Sequence, residues 1–524
     1  MAERVAFWRD RESLGALLAG MVAVWGLPPD PDPLPMIAGL AVLMRLVETA
    51  APRRGAWLGF CFGLGHFGLG QVWLWTSLHT FGGLPAPLAI FLMLGLAAIL
   101  AVYPALFGAV LPRLAGRPWL LPLAAPALWV VTEWLRAHLL SGFPWNLVGY
   151  AWDGSLTMLQ VADLGGVYLL SWLTLFCAAL AAVLARPGEW RLRFSWFVVI
   201  GLVAGTLGGG WLYGQWRLAG LREGMERDIW TAPVRMAIVQ GNIPQKMKWD
   251  PAHQEEGLRR YLDLLADLAN PVDLVVWPET AAAFFLQAAP RELRRIADAS
   301  RGLGAPILTG APMADRASEG SKEWLYFNSM VLIDADEKGE FRHRYDKDHL
   351  VPFGEYIPFR ALLPGHLQKL THGTKDFSRG GQPEPMAWVH GAIGALICYE
   401  VIFPDEVRLL AGRGARWLIN VTNDAWFGES AKPQHLAMAR MRAVENRLPM
   451  IRVANTGISA MFDHLGQELG RIDPNQKGVL ERTVTRGTGQ SVWVRTGRYW
   501  IWLWFGLCVV AFVLTRRQPG SVEP

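Results

Sequence analysis

The stretch "GAIGALICYEVIFPDE", residues 391–406, ends a short apolar run on Cys398, Tyr399 and Glu400. The run Ala392 to Ile397 has the length and composition of a strand, and an acidic segment follows it. Residues just beyond the ends of strands are the usual place for catalytic groups in α/β sheets. Cys398 could therefore be a packing residue, half of a disulfide, a metal ligand or a catalytic nucleophile.

The other cysteines narrow these alternatives. Cys61, Cys177 and Cys508 lie within long apolar runs, so Cys398 has no evident disulfide partner. Neither a C-x-x-C nor an H-E-x-x-H spacing occurs, so a metal site has no basis in the sequence. We expect neither a metal nor a cofactor, which leaves a packing role or a nucleophile.

The composition predicts a membrane protein with more than one domain. The chain has 524 residues, of which 52% are apolar and only 18% charged, an unusual balance for a soluble protein. Its 26 tryptophans agree with this, because Trp favours membrane interfaces. The net charge of +5 is small and no basic stripe is present, so we expect no nucleic-acid partner.

Eight apolar stretches approach the roughly 20 residues that a membrane-spanning helix needs. They are predicted at residues 13–29, 35–50, 56–77, 84–111, 118–139, 160–185, 194–214 and 498–515. Basic residues alternate between the links that join them, as the positive-inside rule requires. The basic links carry Arg4, Arg9 and Arg11; Arg53 and Arg54; Arg113 and Arg117; Arg186, Arg191 and Arg193; and Arg516 and Arg517. This alternation predicts cytoplasmic termini and an extracytoplasmic region between the seventh and eighth spans.

The region between those spans has a different character. Charge rises, and seven short β-rich runs, among them "VDLVVWPE", "YFNSMVLIDAD" and "IRVANTGISAMFD", alternate with polar helices. Such alternation predicts an α/β domain. We therefore predict a transmembrane domain over residues 1–217, an extracytoplasmic domain over 218–495, and a last helix with a cytoplasmic tail over 496–524.

Three chemically active side chains follow predicted strands in this domain. Glu279 follows "VDLVVW", Lys347 follows "FRHRYD", and Cys398 follows "GAIGALI". Each one alone is more often a solvated or packing residue. Together they form a coherent set, because a thiol with an ordinary pKa near 8.5 needs a base or a cation to become a nucleophile at neutral pH. A glutamate supplies the base and a lysine stabilises the thiolate and an oxyanion.

The pattern "WPE", a Lys after "RYD" and "CYE" resembles the Glu-Lys-Cys triad of the nitrilase superfamily, which has an α-β-β-α sandwich fold. The flanking segments "VQGNIPQKMKWD", "YDKDHLVPFGEYIP", "ICYEVIFPD" and "VTNDAWFG", together with "SGFPWN" in the membrane half, resemble the apolipoprotein N-acyltransferase family. The resemblance implies an eight-helix transmembrane domain with a nitrilase-like α-β-β-α sandwich inserted between helices 7 and 8.

The resemblance also implies roles for individual residues. Glu279 would be the general base, Lys347 would stabilise the tetrahedral intermediate, and Cys398 would be the acylated nucleophile. The supporting or substrate-binding residues would be Trp249, Glu355, Tyr399 and Glu400. The backbone N–H of Tyr399 could line an oxyanion hole, and Glu355 could position Lys347 or Glu279.

The implied reaction takes the sn-1 acyl chain of a phospholipid, phosphatidylethanolamine in the family. It passes through a thioester on Cys398 to the N-terminal amine of a diacylglyceryl-cysteine apolipoprotein, the last step of bacterial lipoprotein maturation. We expect a monomer that spans the bacterial inner membrane several times, with the catalytic domain in the periplasm and both termini in the cytoplasm.

Two other features invite interpretation. Residues 351–370 combine large apolar side chains with prolines and glycines, and we expect either a mobile membrane-touching arm or an ordinary packed loop there. Glu133 and Arg136, near the outer end of the fifth span, suit an ion pair on one helix face more than a substrate contact.

Two rival functions remain open on the sequence alone. The first is a membrane-anchored amidase or nitrilase whose acyl-enzyme is hydrolysed by water, since its triad would look the same. The second is a transporter or channel with an extracytoplasmic binding domain, although the spans hold few ionisable groups and no obvious inverted repeat.

Overall fold

The computed structural model describes residues 10–115, 118–185, 193–227, 233–318, 320–334, 341–360, 375–487 and 489–516. Within them the chain divides into two compact units. One comprises the described residues of Met1–Trp75, Leu84–Ala219 and Thr496–Pro524, and is called here the helical unit. The other comprises those of Thr76–Gly83 and Gly220–Arg495, and is called here the catalytic unit because it contains the three residues predicted to react.

The helical unit consists of helices and short helical turns. Its main helices are Arg11–Val24, Pro33–Val47, Pro52–Gly70, Ala86–Leu114, Leu121–His138, Ala162–Leu184, Arg193–Arg227 and Val492–Arg516. By residue range, Arg193–Arg227 ends and Val492–Arg516 begins within the catalytic unit. Glycines allow two of them to approach closely. A Cβ on Gly59 would lie 2.0 Å from the backbone oxygen of Pro104, and one on Gly55 would lie 2.1 Å from that of Gly108. Small residues at such positions are typical of helix packing in membranes.

Each of the eight predicted spans overlaps one of these helices. Three helices in the described part of the chain are long and apolar enough to cross a membrane by length and composition, namely Ala86–Leu114, Ala162–Leu184 and Val492–Arg516. Pro33–Val47 is apolar but shorter. The chain therefore has a helical region with membrane-spanning character, and the count of eight crossings stays a prediction.

The catalytic unit contains two β-sheets. The strands are β1 (Val234–Gln240), β2 (Leu274–Val276), β3 (Ile307–Arg316), β4 (Trp324–Ile333), β5 (Phe341–Asp346), β6 (Ile393–Ile397), β7 (Trp417–Thr422), β8 (Met450–Ala454), β9 (Ser459–Phe462), β10 (Glu468–Ile472) and β11 (Gly478–Val484). One sheet has the order β11-β1-β2-β3-β4-β5 and the other β10-β9-β8-β7-β6. In both sheets the central strands are parallel, β1 to β2 to β3 and β6 to β7 to β8, and the outer pairs are antiparallel.

The two sheets pack face to face, and helices cover their outer faces. In β1, Met236 and Ile238 join Ile419 and Ile451 of the other sheet in one core cluster. The alternate residues of β1 belong to a second cluster with the helices Pro251–Leu264 and Pro290–Leu303. The helices Pro404–Gly412 and Ala431–Asn446 lie against the second sheet. Both faces of each sheet are thus buried, which explains the nearly continuous apolar runs of the central strands.

The structure has more strands than the sequence predicts. "IRVANTGISAMFD" is two antiparallel strands, β8 and β9, rather than one. β10 and β11 were not predicted at all, because most of their residues are half-buried or exposed and form no apolar run. These additions extend the sheet edges and leave the predicted central strands in place.

Candidate active site

The three residues predicted to act together each follow a strand of the catalytic unit. Glu279 lies three residues beyond the end of β2, Lys347 lies directly after β5, and Cys398 directly after β6. All three are buried, with exposed fractions of 8%, 1% and 6%. The charges of Glu279 and Lys347 both act on the Cys398 thiol, so the two sheets bring the three residues to one site.

Cys398 lies at a sharp turn between β6 and the 3₁₀ helix Cys398–Ile402. Its φ of +53° is an uncommon value for a residue with a side chain. Two buried side chains hold this turn, because Asn420 Nδ2 and His435 Nε2 each lie 3.3 Å from the Cys398 carbonyl oxygen. Strained backbone of this kind persists only where the surroundings enforce it, and it clusters at active sites.

A buried polar network supports these two side chains. Asp424 Oδ1 lies 3.1 Å from His435 Nδ1, and Arg452 donates to Asp424 Oδ2 at 2.7 Å and to Asn420 Oδ1. Burial and the Arg452 charge lower the pKa of His435, although Asp424 and the Cys398 carbonyl oxygen act in the opposite direction. The network therefore fixes the backbone of the turn.

The thiol of Cys398 is protonated at rest. Burial, followed by the negative charge of Glu279, raises the pKa of Cys398 to about 12, although the Lys347 charge lowers it. A thiol in this state requires a base that removes its proton as it attacks. Glu279 is the carboxylate with the largest effect on the thiol, and it is therefore the candidate base.

Glu355 and Asn328 connect Lys347 to Glu279. Lys347 Nζ forms an ion pair with Glu355 Oε2 at 2.9 Å. The Asn328 amide donates to Glu279 Oε1 at 2.7 Å and to Glu355 Oε1 at 2.9 Å. Burial alone would lower the pKa of Lys347, but the Glu355 carboxylate and other negative groups raise it, so this lysine stays charged.

Glu400 ties the turn of Cys398 to the segment after Lys347. Its Oε1 accepts hydrogen bonds from the Tyr345 hydroxyl at 2.7 Å and from the backbone N–H groups of Asp348 and His349, and its Oε2 accepts from Ile397 N at 2.7 Å. Burial raises the pKa of Glu400 to about 7, against the effect of Lys347 and the hydrogen bonds. Glu400 is thus a buried connector between two strand ends.

The remaining predicted residues lie at the margins of this cluster. The Tyr399 ring packs edge-on against Phe403, with centroids 5.1 Å apart, and against His349 at 5.7 Å. Trp249 is half-buried and follows the short helix Gln245–Lys248. The structure therefore brings Glu355 and Glu400 into direct contact with the elements that carry the three central residues. Tyr399 adjoins Cys398 in the chain, and Trp249 adjoins Lys248, which contacts Glu279.

Sequence reasoning missed two buried residues that contact Glu279. Asn328 lies within β4, inside an apolar run whose pattern predicts a strand but no site residue. Lys248 is 4% exposed and donates to the backbone oxygen of Glu279 at 2.7 Å. Asn328 is a polar residue inside an apolar run, whereas Lys248 lies in a polar stretch that gives no such signal, and the convergence of both on Glu279 depends on the fold.

The catalytic unit also includes a short segment, Thr76–Gly83, that covers the end of the third predicted span and the link after it. Ser77 Oγ donates to the backbone oxygen of Trp426 at 2.6 Å, and the Phe81 and Trp426 rings meet at 5.5 Å. Trp426 ends the 3₁₀ helix Asp424–Trp426, which begins with the Asp424 of the buried network. The turn Thr76–Phe81 therefore packs next to the loop that follows β7.

The two other features noted in the sequence have different outcomes. Glu133 Oε1 accepts from Val148 N at 2.8 Å, and Arg136 donates to the backbone oxygens of Phe143 and Trp145. Both side chains thus stabilise the backbone of the next segment, and the ion pair expected between them is not among the contacts of the described residues.

Of the predicted arm 351–370, residues 361–374 lie outside the described part, while Phe353 and Phe359 are exposed and Ile357 is buried.

Two family models match the chain, one over each half. The carbon-nitrogen hydrolase model matches residues 235–492, and the model of the apolipoprotein N-acyltransferase N-terminal domain matches residues 19–180. The two matches correspond to much of the catalytic and helical units respectively.

Curated relatives match nearly the whole length. The chain is 38% identical to apolipoprotein N-acyltransferase from Geobacter metallireducens, over 97% of this chain and 96% of that protein. It is 34% identical to the Vibrio cholerae protein of the same name, over 93% of both, and 35% identical to that of Nitrosomonas europaea, over 95% and 96%.

Solved structures match the catalytic half. The match to an amidase from Nesterenkonia sp. includes 51% of this chain and 96% of the amidase chain, at 21% identity and a TM-score of 0.37. The match to a carbon-nitrogen hydrolase from Helicobacter pylori G27 includes 52% of this chain and 94% of the hydrolase chain, at 16% identity and a TM-score of 0.36.

Proposed function

The chain belongs to the apolipoprotein N-acyltransferase family, and we propose that Cys398 is the nucleophile of its reaction. The activity of the protein is the N-acylation of lipoproteins, with a phospholipid as acyl donor and a lipoprotein as acceptor. The observation that carries the assignment to Cys398 is its position at a strained strand-end turn, within range of both a buried carboxylate and a buried ammonium group.

In the first step Glu279 removes the Sγ proton of Cys398 while the sulfur attacks the sn-1 ester carbonyl of the phospholipid. A tetrahedral oxyanion forms, and Lys347 stabilises it together with backbone N–H groups of the turn, for which that of Tyr399 is our candidate. The C–O bond then breaks, Glu279 returns its proton to the departing alkoxide, and a lysophospholipid leaves. The acyl chain remains on Cys398 as a thioester.

In the second step the N-terminal amine of the diacylglyceryl-cysteine attacks the thioester carbonyl. Glu279 takes the proton of the attacking amine, and the C–S bond breaks with return of a proton to Sγ. The products are an amide on the lipoprotein and the free enzyme. A thioester retains the reactivity of the original ester, so the transfer needs no nucleotide or cofactor.

The supporting residues act by holding these groups in place. Glu355 and Glu400 position Lys347, the first by its ion pair and the second through the backbone that follows Lys347. For Trp249 we propose a contact with substrate beside the site, because it adjoins Lys248 in the chain.

The protein is an integral membrane protein, and its arrangement in the membrane is part of the proposal. We assign residues 1–217 to a transmembrane domain of seven helices, 218–495 to the catalytic domain and 496–524 to an eighth helix and tail. The alternation of basic links supports cytoplasmic termini and a periplasmic catalytic domain in the bacterial inner membrane. We propose phosphatidylethanolamine as donor and a monomeric enzyme.

Product analysis tests the choice of acceptor. The purified protein is supplied with phosphatidylethanolamine and a synthetic diacylated lipopeptide, and both N-acylated peptide and free fatty acid are measured. We expect N-acylated peptide in amounts equal to the lysophospholipid formed, and loss of both products in Cys398→Ala. Free fatty acid without acylated peptide would support the amidase-like alternative, and undiminished N-acylation in Cys398→Ala would remove Cys398 from the reaction.

A further inference from the structure

A second lysine, Lys248, lies at the site in addition to Lys347. Its side chain is 4% exposed, and Nζ donates to the backbone oxygen of Glu279 at 2.7 Å. Within the described part of the chain, Lys248 forms no ion pair with a carboxylate. Burial of an ammonium group without a counter-ion costs free energy, so the presence of Lys248 at this buried position requires an explanation.

The segment that carries Lys248 is anchored to the opposite sheet. Asn455, directly after β8, donates to the backbone oxygen of Ile243 at 2.8 Å and accepts from its N–H at 3.0 Å. Asn423, directly after β7, donates to Gln245 Oε1 at 2.7 Å. The segment between β1 and Lys248 is therefore bound to residues at the ends of β7 and β8, the two strands that follow β6 in its sheet, and the position of Lys248 is well defined.

The charges at the site show which group lacks a partner. Lys347 is balanced by Glu355 at 2.9 Å, whereas the side-chain contact of Glu279 is the neutral amide of Asn328. The ionisable groups that face Lys248 are Glu279 and Cys398, and both raise its affinity for a proton. The negative charge that Lys248 balances is thus the one shared by the base and the nucleophile.

We propose that Lys248 is a second cation of the reaction, which stabilises the negative charge as it moves from Glu279 to the Cys398 sulfur and then to the substrate oxygen. This inference rests on the proposed function. No proton leaves or joins Lys248 in the step: the thiol proton moves to Glu279, and the ammonium remains charged beside both groups.

Because Lys248 can lose its charge at moderately alkaline pH, the proposal predicts that the rate of acylation depends on pH. Burial lowers this pKa to about 8, against the opposing effect of the Glu279 and Cys398 charges. The stabilising charge is therefore present below about pH 8 and lost above it. An arginine at this position would keep its charge throughout that range, because its pKa is above about 12.

The test is the rate of acyl-enzyme formation, measured by intact mass after mixing the full-length protein with phosphatidylethanolamine in detergent micelles. Four proteins are compared between about pH 6 and pH 10: the wild type, Lys248→Met, Lys248→Arg and the control Lys246→Met. Lys246 lies on the same short helix but is exposed, so its substitution matches the chemical change without affecting the site.

We expect Lys248→Met to slow acylation about 100-fold at pH 7, and Lys248→Arg to retain at least about a tenth of the wild-type rate. The wild-type rate should fall above about pH 8, and the Lys248→Arg rate should not fall there. Lys246→Met should behave as the wild type.

Three results would overturn the proposal: a Lys248→Met rate within threefold of the wild type, a Lys248→Arg rate as low as that of Lys248→Met, or the same alkaline decline in Lys248→Arg. If the Lys248→Met protein folds poorly, the pH dependence of the Lys248→Arg rate still tests the proposal. An acyl adduct that forms in Cys398→Ala would instead refute the proposed function, whatever Lys248 does.

Discussion

Asn328 donates to two buried carboxylates at once, those of Glu279 and Glu355. Its amide keeps two like charges apart at fixed positions while adding no charge of its own. We therefore expect Asn328→Asp to lower the rate of acyl-enzyme formation about 100-fold, because a third carboxylate would repel both neighbours and raise their proton affinity. The measurement is the single-turnover rate at pH 7.

The matched control is Asn270→Asp. Asn270 also donates to a glutamate, Glu481, but at an exposed position, where solvent screens the added charge. It should leave the rate unchanged. Equal rates for Asn328→Asp and the wild type would show that Asn328 does not position the candidate base.

At the residue scale, the sequence predicted the groups that follow strands but not those that reach the site through space. Glu279, Lys347 and Cys398 stand out because apolar runs end beside them. Asn328 lies inside a strand, and Lys248 becomes visible only once Asn423 and Asn455 bind its segment. Such contacts join residues far apart in the chain, so no local pattern encodes them.

At the scale of elements, the position of Glu279 depends on how closely β3 approaches the turn after β2. A Cβ on Gly310 would lie 2.4 Å from Thr280 N and 2.7 Å from Glu279 Cα. The two segments are also hydrogen-bonded, since Gly310 N donates to the Pro278 oxygen and Ala282 N donates to the Gly310 oxygen. Only glycine allows this approach.

We expect Gly310→Ala to displace the turn and to slow acylation at least about tenfold, with a loss of about 1–3 kcal/mol in the free energy of unfolding. Intact-mass kinetics and thermal unfolding in detergent measure the two effects. The control is Gly302→Ala in the helix Pro290–Leu303, where a Cβ meets nothing within 4 Å. It should keep full activity, and a Gly310→Ala protein with wild-type kinetics would contradict this account of the turn.

Element boundaries show where sequence patterns are informative. The central strands of both sheets are buried on two faces and were predicted from their apolar runs. β10 and β11 lie at sheet edges, and their residues range from buried to exposed. They therefore contain polar residues and show no apolar run that would predict a strand. The turn Thr76–Phe81 looked like a plain link between spans, yet it packs on Trp426 in the catalytic unit through contacts distant in sequence.

For the molecule as a whole, one chain combines a helical region of membrane character with an α/β unit that holds a buried, protonated thiol. Both substrates carry long acyl chains, and exposing them to water costs about 0.8 kcal/mol per CH₂. We expect a thiol with so high a pKa to stay unreactive until a base, for which Glu279 is the candidate, removes its proton, and this suits an enzyme that must react selectively with lipid.

The acyl-enzyme on Cys398 is tested by the intact mass of the purified protein after exposure to phosphatidylethanolamine, before and after hydroxylamine. We expect an increase of one acyl chain that hydroxylamine removes, and no increase in Cys398→Ala. An active protein that never carries the acyl chain, or a Cys398→Ala protein that still does, would show that Cys398 is not the acylated nucleophile.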